Sequence, residues 1–295
     1  MRAPSTLRLP DGRPLAFDDV GDPSGVPVVY LHGTPDSRLA RHPDDGAAAA
    51  AGVRLLAVDR PGAGESHRHP GADLAGLGHD LAALLDHLDV PRTILFGWST
   101  GGLFALGAAT VLGPRVAAMG LAAPVPPVEA YGDPSLVAAL AVGRRGFAEL
   151  ALELSPAELA GEVAPFLVPD PLTAASALEH VLESAGEAGR RDLVAVPGAA
   201  GALAEGLLAS VAQGPAGLVA DVALQLEPGL DLSAIRAPVR TFHGSADGVS
   251  PPIVGTWLVA RLPHAVLDLS PGGSHHLLFP RWRGILRALR RDAAM

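Results

Sequence analysis

Three residue types that carry particular chemistry are missing from the sequence: it contains no cysteine, no lysine and no asparagine. Without cysteine, this chain can form no disulfide, thiolate nucleophile or iron–sulfur cluster. Without lysine, it can form no lysine Schiff base and no Walker-type phosphate-binding loop. The chemistry of serine, histidine and carboxylates remains.

Basic residues are fewer than acidic ones. Lys and Arg together number 22 against 31 Asp and Glu, which gives a formal net charge of -9 at pH 7. Binding to phosphate backbones or to an anionic bilayer requires a basic surface, so this balance argues against a nucleic-acid or membrane partner. We expect a small-molecule substrate and make no prediction of the oligomeric state.

Long apolar runs are missing too. A membrane helix needs roughly 18 uninterrupted apolar residues, and the nearest approach, residues 101–128, is broken at Gly113-Pro114-Arg115 and ends in prolines. The first residues, MRAPSTLRLPDGRPLAF, contain neither the apolar core nor the cleavage site of an export signal. The sequence therefore predicts no transmembrane segment and a cytoplasmic location.

The 295 residues, 48% of them hydrophobic, suffice for one large domain or for a domain with an insertion. From residue 26, short β-rich runs alternate with Ala/Leu-rich stretches, which is typical of parallel βαβ units. The runs are VPVVYL, VRLLAV, TILFGW and VAAMGLAA, and the intervening helical stretches fall at 37–51, 73–88 and 101–112. Because the runs are continuously apolar, they predict strands covered by helices on both faces. Upstream, TLRLP and PLAFDDV predict an antiparallel hairpin that turns at Asp11-Gly12.

Strand signals disappear between about residues 124 and 233. Segments rich in Ala, Leu and Glu replace them, for example 135–153, 156–164, 171–188 and 201–212. Alternation returns with PVRTFHG, a helix from about 251, AVLDL and a last helix through ILRALR. We therefore predict a core of residues 1–123 and 234–295 and an inserted helical cap of residues 124–233.

Ser99 is the candidate nucleophile. It stands in Gly97-Trp98-Ser99-Thr100-Gly101, between the strand TILFGW and the helix that follows. The G-x-S-x-G pattern alone is weak in a chain with 35 glycines. Its position is informative, because a sharp turn from strand to helix strains the backbone of the serine and exposes its hydroxyl, while the glycines avoid clashes. The alternative is an ordinary helix-capping serine.

A serine nucleophile needs a base and an orienting carboxylate, which in this architecture follow in the order Ser, acid, His. Asp247 comes just after the strand VRTFHG, and His275 comes just after AVLDL. Both therefore lie where the carboxyl ends of parallel strands build a site. The alternative for Asp247 is a turn residue.

Two adjacent histidines compete for the role of base. His275 and His276 point in different directions, so only one of them can face Ser99. We favour His275, which follows the small turn Gly272-Gly273-Ser274, whereas His276 begins the apolar run into LLF. A metal site on this pair is not expected, because no further ligand is spaced nearby.

The loops after the first two parallel strands complete the predicted site. In His32-Gly33-Thr34-Pro35, the backbone NH of Thr34 would form a two-donor oxyanion hole with the NH of Thr100. His32 itself is interpreted as a structural hydrogen-bonding residue. The loop 59–66 is interpreted as one that shapes the site, and Asp59 is not the predicted acid.

These residues resemble the α/β-hydrolase fold superfamily, particularly small bacterial members with HGTP, DRPGxGxS, GWSxGG and a late Asp and His. The resemblance covers about residues 5–123 and 234–290. It implies an α/β fold with an eight-stranded, mostly parallel sheet, helices on both faces, a helical cap after the sixth strand, and a triad of Ser99, His275 and Asp247. Some members of this fold place the acid just after the sixth strand, so the resemblance makes Glu129 or Asp133 the next candidate if Asp247 is not the acid. HGTP is also similar to the H-G-x-P of epoxide hydrolases and haloalkane dehalogenases, but those enzymes have Asp where this chain has Ser99. The chain departs from the usual pattern at Ser274, where Gly is usual, and at His276, where Leu is common.

The sequence therefore predicts a serine hydrolase that transfers an acyl group to water, without cofactor or metal, from a small or medium apolar ester-like substrate. Related proteins with similar cores act as aminopeptidases, split C–C bonds or make peracids, and the elbow GWSTGG resembles those of perhydrolases. The alternative of another class is a non-catalytic sensor that holds a ligand under the cap.

Overall fold

The computed structural model describes residues 4–71, 73–140 and 142–294. Its strands are β1 (Ser5–Arg8), β2 (Pro14–Gly21), β3 (Val26–Leu31), β4 (Val53–Val58), β5 (Thr93–Trp98), β6 (Val116–Ala122), β7 (Val239–Gly244) and β8 (Ala265–Ser270). They form one sheet in the order β1-β2-β4-β3-β5-β6-β7-β8. The pairings of β1 with β2 and of β2 with β4 are antiparallel, and all others are parallel. The predicted eight-stranded, mostly parallel sheet with a leading hairpin is confirmed.

Helices follow most of the strands. They are α1 (Gly46–Ala49), α2 (Gly76–His87), α3 (Thr100–Leu112), α4 (Pro134–Ala139), α5 (Val142–Glu153), α6 (Pro156–Val163), α7 (Ala174–Ser184), α8 (Gly186–Val194), α9 (Ala199–Ser210), α10 (Ala216–Leu224), α11 (Pro252–Val259) and α12 (Leu278–Ala293). One apolar layer joins the sheet to α2, α3 and α11, and a second joins it to α1 and α12. Strand residues alternate between the layers, as in β3, where Val29 and Leu31 face the first and Val28 and Tyr30 face the second. Both faces of the sheet are thus covered.

The helix predicted over residues 37–51 is much shorter than expected, because only α1 forms there. Pro43 cannot donate a backbone hydrogen bond and disfavours the helical conformation of the residue before it. Side chains upstream also hold the chain to the sheet: Arg38 donates from Nη1 to Asp59 Oδ2 at 2.6 Å, and from its backbone NH to Asp59 Oδ1 at 2.7 Å.

Between β6 and β7 the described residues form only helices and short turns. We name residues 124–233 the inserted helical segment. Within it, α6 and α10 pack through a small apolar cluster of their own that includes Leu159, Leu218 and Val222. The fold thus contains the expected helical insertion after the sixth strand, while the division into two domains at residues 124 and 233 stays a prediction.

In the described part of the chain, no single helix is long and apolar enough to cross a membrane. Helices α8 and α9 pass the length and composition criteria only when taken together, and the break between them bends the pair by 110°.

Candidate active site

Ser99 occupies a sharp turn between β5 and α3. Its backbone angles, φ 54° and ψ -125°, lie in a region that residues other than glycine rarely adopt. The surrounding packing requires glycine on both sides: a Cβ on Gly97 would lie 2.2 Å from the Gly101 carbonyl oxygen, and a Cβ on Gly101 would lie 2.1 Å from the Leu31 carbonyl oxygen. The turn therefore has the tight, strained form that the sequence predicts.

A chain of hydrogen bonds runs from Ser99 through His275 to Asp247. His275 Nε2 lies 3.0 Å from Ser99 Oγ, and His275 Nδ1 lies 3.0 Å from Asp247 Oδ2. Because a carboxylate only accepts, the network assigns the proton to Nδ1 and leaves Nε2 free to accept from the serine hydroxyl. The three side chains come from the loops after β5, β7 and β8, and the structure brings together all three predicted residues.

Backbone and side-chain donors hold Asp247 in its ionised form. Oδ1 accepts from the backbone NH groups of Val249 and Ser250 at 2.8 and 2.9 Å. Burial on its own raises the pKa of Asp247, but the charge and hydrogen bond of His275, with those two NH groups, outweigh it and bring the pKa below its usual value. The carboxylate is therefore ready to orient His275 and to stabilise its protonated form.

His276 lies edge-on to His275, with ring centroids 5.9 Å apart, and both rings line a cavity above Ser99. Burial, reinforced by the neighbouring His275, lowers the pKa of His276 to about 3, so this ring stays neutral. Among the described residues, its Nδ1 has no hydrogen-bond partner. The alternative acids also lie elsewhere: Glu129 accepts from the backbone NH of Gly229, and Asp133 caps α4.

Two backbone NH groups beside Ser99 point to no acceptor in the described chain. They belong to Thr34 and Thr100, whose hydroxyl oxygens lie 2.8 Å apart. The NH of Thr100 is free because it stands in the first turn of α3, where helix geometry supplies no acceptor. Both predicted donors are thus available beside the serine.

A buried ion pair, which the sequence analysis did not identify, supports this loop. Arg60 donates from Nε and Nη2 to the two carboxylate oxygens of Asp221 in α10, each at 2.8 Å. Nη2 also lies 2.8 Å from Thr34 Oγ1, and the Thr34 hydroxyl in turn donates to Asp221 Oδ2. The Arg60 side chain is 1% exposed. An acid among the apolar residues of AGLVADVAL was a signal for this pair, but its partner is 161 residues away.

His32 and Asp59 have structural contacts, as the sequence analysis interprets them. The ring of His32 accepts from the backbone NH of Arg60 and bonds the Gly33 carbonyl. Burial, with the charge of Arg60, lowers the pKa of His32 well below its usual value, so the ring stays neutral. Asp59 is engaged by Arg38, away from His275.

A cavity of about 350 Å³ lies above Ser99. Its floor comes from the sheet side, with Thr34, Trp98, Ser99 and His275, and its other walls come from the inserted helical segment. Those walls are mainly apolar, and the residues include Tyr131, Phe147, Val163, Phe166, Leu167, Val181, Leu203, Leu207, Val222 and Leu226. Within the described ranges, no group of three or more side chains is arranged to hold a metal ion.

Together, the sheet, the strained serine turn and the apolar cavity define an α/β protein with a candidate site at the carboxyl ends of its strands. The chain belongs to the α/β hydrolase fold family, whose model matches residues 26–280.

The individual relatives either match only part of this chain or share low sequence identity with it. A dihydrolipoyllysine-residue acetyltransferase component of an acetoin cleaving system from Pseudomonas putida is 39% identical over 116 residues, which cover 38% of this chain and only 30% of that protein. A putative non-heme chloroperoxidase from Synechocystis sp. is 27% identical over 88% of both chains. Among solved structures, the esterase RhEst1 from Rhodococcus sp. superposes with a TM-score of 0.69 at 22% identity, covering 99% of both chains. This last likeness shows the fold alone.

Proposed function

We propose that the chain is a serine hydrolase of the carboxylesterase type, with Ser99 as nucleophile, His275 as general base and acid, and Asp247 as the orienting carboxylate. The observation that carries the proposal is the continuous hydrogen-bond chain between these three side chains, with 3.0 Å at each step, beneath an apolar cavity. Nucleophile, base and orienting acid within hydrogen-bond reach are the requirement of covalent acyl transfer.

In the first half-reaction, Ser99 Oγ attacks the ester carbonyl carbon while His275 Nε2 takes the hydroxyl proton. The NH groups of Thr34 and Thr100 would donate to the oxygen on which negative charge develops. His275 then gives its proton to the leaving alcohol, and the acyl group remains on Ser99. Asp247 stabilises the imidazolium throughout and keeps its own negative charge.

In the second half-reaction, a water molecule replaces the alcohol. His275 takes a proton from the water as its oxygen attacks the acyl carbon, and it returns that proton to Ser99 Oγ as the acid leaves. The products are one carboxylic acid and the regenerated serine. The cycle needs neither metal nor cofactor, because the side chains handle every proton.

The substrate class follows from the cavity. A volume of about 350 Å³ with mainly apolar walls fits a small or medium acyl group. We propose that the inserted helical segment, residues 124–233, acts as a cap that excludes water from the acyl-enzyme and selects the substrate.

The test is hydrolysis of p-nitrophenyl esters of increasing chain length by wild type, Ser99→Ala and the exposed-serine control Ser233→Ala. We expect Ser99→Ala to fold normally and to lose on the order of 10³-fold or more in kcat, with Ser233→Ala unaffected. A phosphonate should label wild type at Ser99, as mapped by mass spectrometry. Sustained turnover by Ser99→Ala would refute the nucleophile, and binding without turnover by wild type would favour a sensor.

Peracid formation is a second candidate, favoured by the 27% identity to a putative non-heme chloroperoxidase over 88% of both chains. Here hydrogen peroxide in place of water would attack the acyl-enzyme and release a peracid and the free serine. To separate peracid formation from ester hydrolysis, the enzyme is incubated with acetate or butanoate and hydrogen peroxide, and the peracid is measured. If this candidate holds, wild type forms peracid and Ser99→Ala does not.

A further inference from the structure

Asp36 is an acidic side chain in the cavity wall that the proposed reaction does not use. It lies two residues after Thr34, in the loop that follows β3, and it lines the same cavity as Ser99. No described residue forms a hydrogen bond or an ion pair with its carboxyl group. A carboxyl group withdrawn from bulk water without a partner costs free energy.

The buried aspartates of the described chain differ in this respect from Asp36, whose side chain is half-buried. Each of them accepts a hydrogen bond from at least one side chain: Asp59 from Arg38, Asp80 from Arg13, Asp192 from Ser274, Asp221 from Arg60, Asp247 from His275 and Asp292 from Arg240. The fold therefore pairs each buried aspartate of the described chain with a side-chain donor and leaves the half-buried acid in the cavity wall without one.

On the side of α9, a glycine makes room for this carboxyl group. A Cβ added to Gly206 of α9 would lie 2.8 Å from Asp36 Oδ1, so glycine on this helix makes the space that the acid occupies. Burial raises the pKa of Asp36 well above its usual range, and the charge of Arg60 offsets this only in part. Arg60 itself is committed to Asp221.

We propose that Asp36 binds a protonated amino group of the ligand that enters this cavity. The inference rests on the proposed function, because it assigns the substrate class of the same site. An ammonium group supplies both the hydrogen-bond donors and the opposite charge that this half-buried carboxylate lacks. The proposed substrate is then an ester that is apolar except for one cationic group.

The charges around the cavity favour a cation over the alternatives. The described lining residues include no arginine, and the chain has no lysine, so an anionic ligand would meet Asp36 with no cation to pair with it. The other titratable lining groups are Tyr131, His180, His275 and His276, and His276 stays neutral. A purely apolar ligand would leave the carboxyl group unpaired.

Competition by three six-carbon compounds tests the inference: n-hexylammonium, 1-hexanol and hexanoate, each as inhibitor of p-nitrophenyl butanoate hydrolysis at fixed ionic strength. For wild type we expect an inhibition constant for hexylammonium at least tenfold below that for hexanol, with hexanoate the weakest. Asp36→Asn, which keeps the shape, should reduce the ammonium-to-alcohol preference at least tenfold. The control Asp170→Asn makes the same change of net charge at an exposed position outside the cavity lining and should keep the preference.

Equal inhibition of wild type by hexylammonium and hexanol would overturn the inference, as would an equal loss of preference in Asp170→Asn. Calorimetric binding of the same compounds to Ser99→Ala separates this failure from that of the proposed function. If Ser99→Ala retains turnover but binds hexylammonium preferentially, only the assignment of the nucleophile fails. If turnover depends on Ser99 but no ammonium preference exists, only the role of Asp36 fails.

Discussion

The ion pair between Arg60 and Asp221 offers a sharp test of how the inserted helical segment supports the site. Asp221→Asn leaves the guanidinium of Arg60, whose side chain is 1% exposed, without its counter-charge. Removing one partner of a buried pair costs about 3 to 5 kcal/mol of unfolding free energy. We expect the lower end, about 3 kcal/mol, because the Asn carbonyl still accepts one of the two bonds and Arg60 keeps the Gly33 carbonyl and the Thr34 hydroxyl as acceptors.

The change should also slow the reaction. Asp221 Oδ2 accepts the hydrogen bond of the Thr34 hydroxyl, and the NH of Thr34 is a proposed oxyanion donor. Removing such a donor costs on the order of 10² to 10³ in kcat, and displacing one should cost less, about tenfold. Because the donor acts on charge that develops in the transition state, the loss should fall on kcat more than on KM.

The matched control is Asp19→Asn. Asp19 pairs with Arg54 through the same two-bond geometry, at 3.0 and 2.6 Å, but the two side chains are 30% and 21% exposed and lie between β2 and β4. Exposed pairs contribute roughly 0 to 1 kcal/mol. Thermal unfolding should therefore fall by about 6 °C in Asp221→Asn and by no more than about 2 °C in Asp19→Asn.

A double variant separates stability from positioning. Arg60→Met with Asp221→Met removes both charges, so it should regain stability relative to Asp221→Asn while kcat stays low. The reasoning is refuted if Asp221→Asn and Asp19→Asn lose equal stability, or if Asp221→Asn is destabilised while its kcat matches wild type.

Three further predictions concern the histidines and the acid. His275→Ala should lose kcat as fully as Ser99→Ala and at least 100-fold further than His276→Ala, and the reverse order in ester turnover would move the base to His276. Asp247→Asn should lose up to about 10⁴-fold in kcat with an unchanged circular dichroism spectrum, whereas Asp133→Asn, at a helix cap, should not; wild-type turnover by Asp247→Asn would place the acid elsewhere. Burial lowers the pKa of His243 to about 4 in the folded chain. As the pH falls, the unfolded chain therefore binds a proton at this histidine before the folded chain does. Up to about 3 kcal/mol of the free energy of unfolding should then be lost between pH 6.5 and pH 4. Urea unfolding at several pH values should show a flatter profile for His243→Leu but not for the exposed control His264→Leu, and equal slopes would contradict the assignment.

The sheet could be predicted from the sequence because its buried strands have a local, continuously apolar pattern. VPVVYL and TILFGW are apolar throughout, and each becomes a strand covered on both faces. The stretch 37–51 shows the limit of such patterns. Its composition favours a helix, but Arg38 binds Asp59, 21 residues further along the chain, and Pro43 interrupts the backbone bonds. Tertiary contacts and a single proline therefore override a favourable composition.

The predicted site residues share one property, which explains why they could be found. Ser99, Asp247 and His275 each lie within five residues of the carboxyl end of a strand, and parallel strands place these ends along one edge of the sheet. The fold therefore brings the three loops that carry these residues close together. The order of the three residues in the chain and their positions after strand ends were enough to predict that they lie close together.

Asp36 and Asp221 have no such signature, because what matters about each is a contact across the boundary between the sheet and the inserted helical segment. Asp221 in α10 pairs with Arg60 in the loop after β4, and Asp36 in the loop after β3 lies against Gly206 of α9. A helical pattern indicates which face of α9 or α10 is apolar, but not which loop that face covers. The proposed catalytic residues thus lie after strand ends, where the sequence pattern predicts them, whereas the surroundings of Asp36 and Asp221 arise where two segments that are distant in the chain meet.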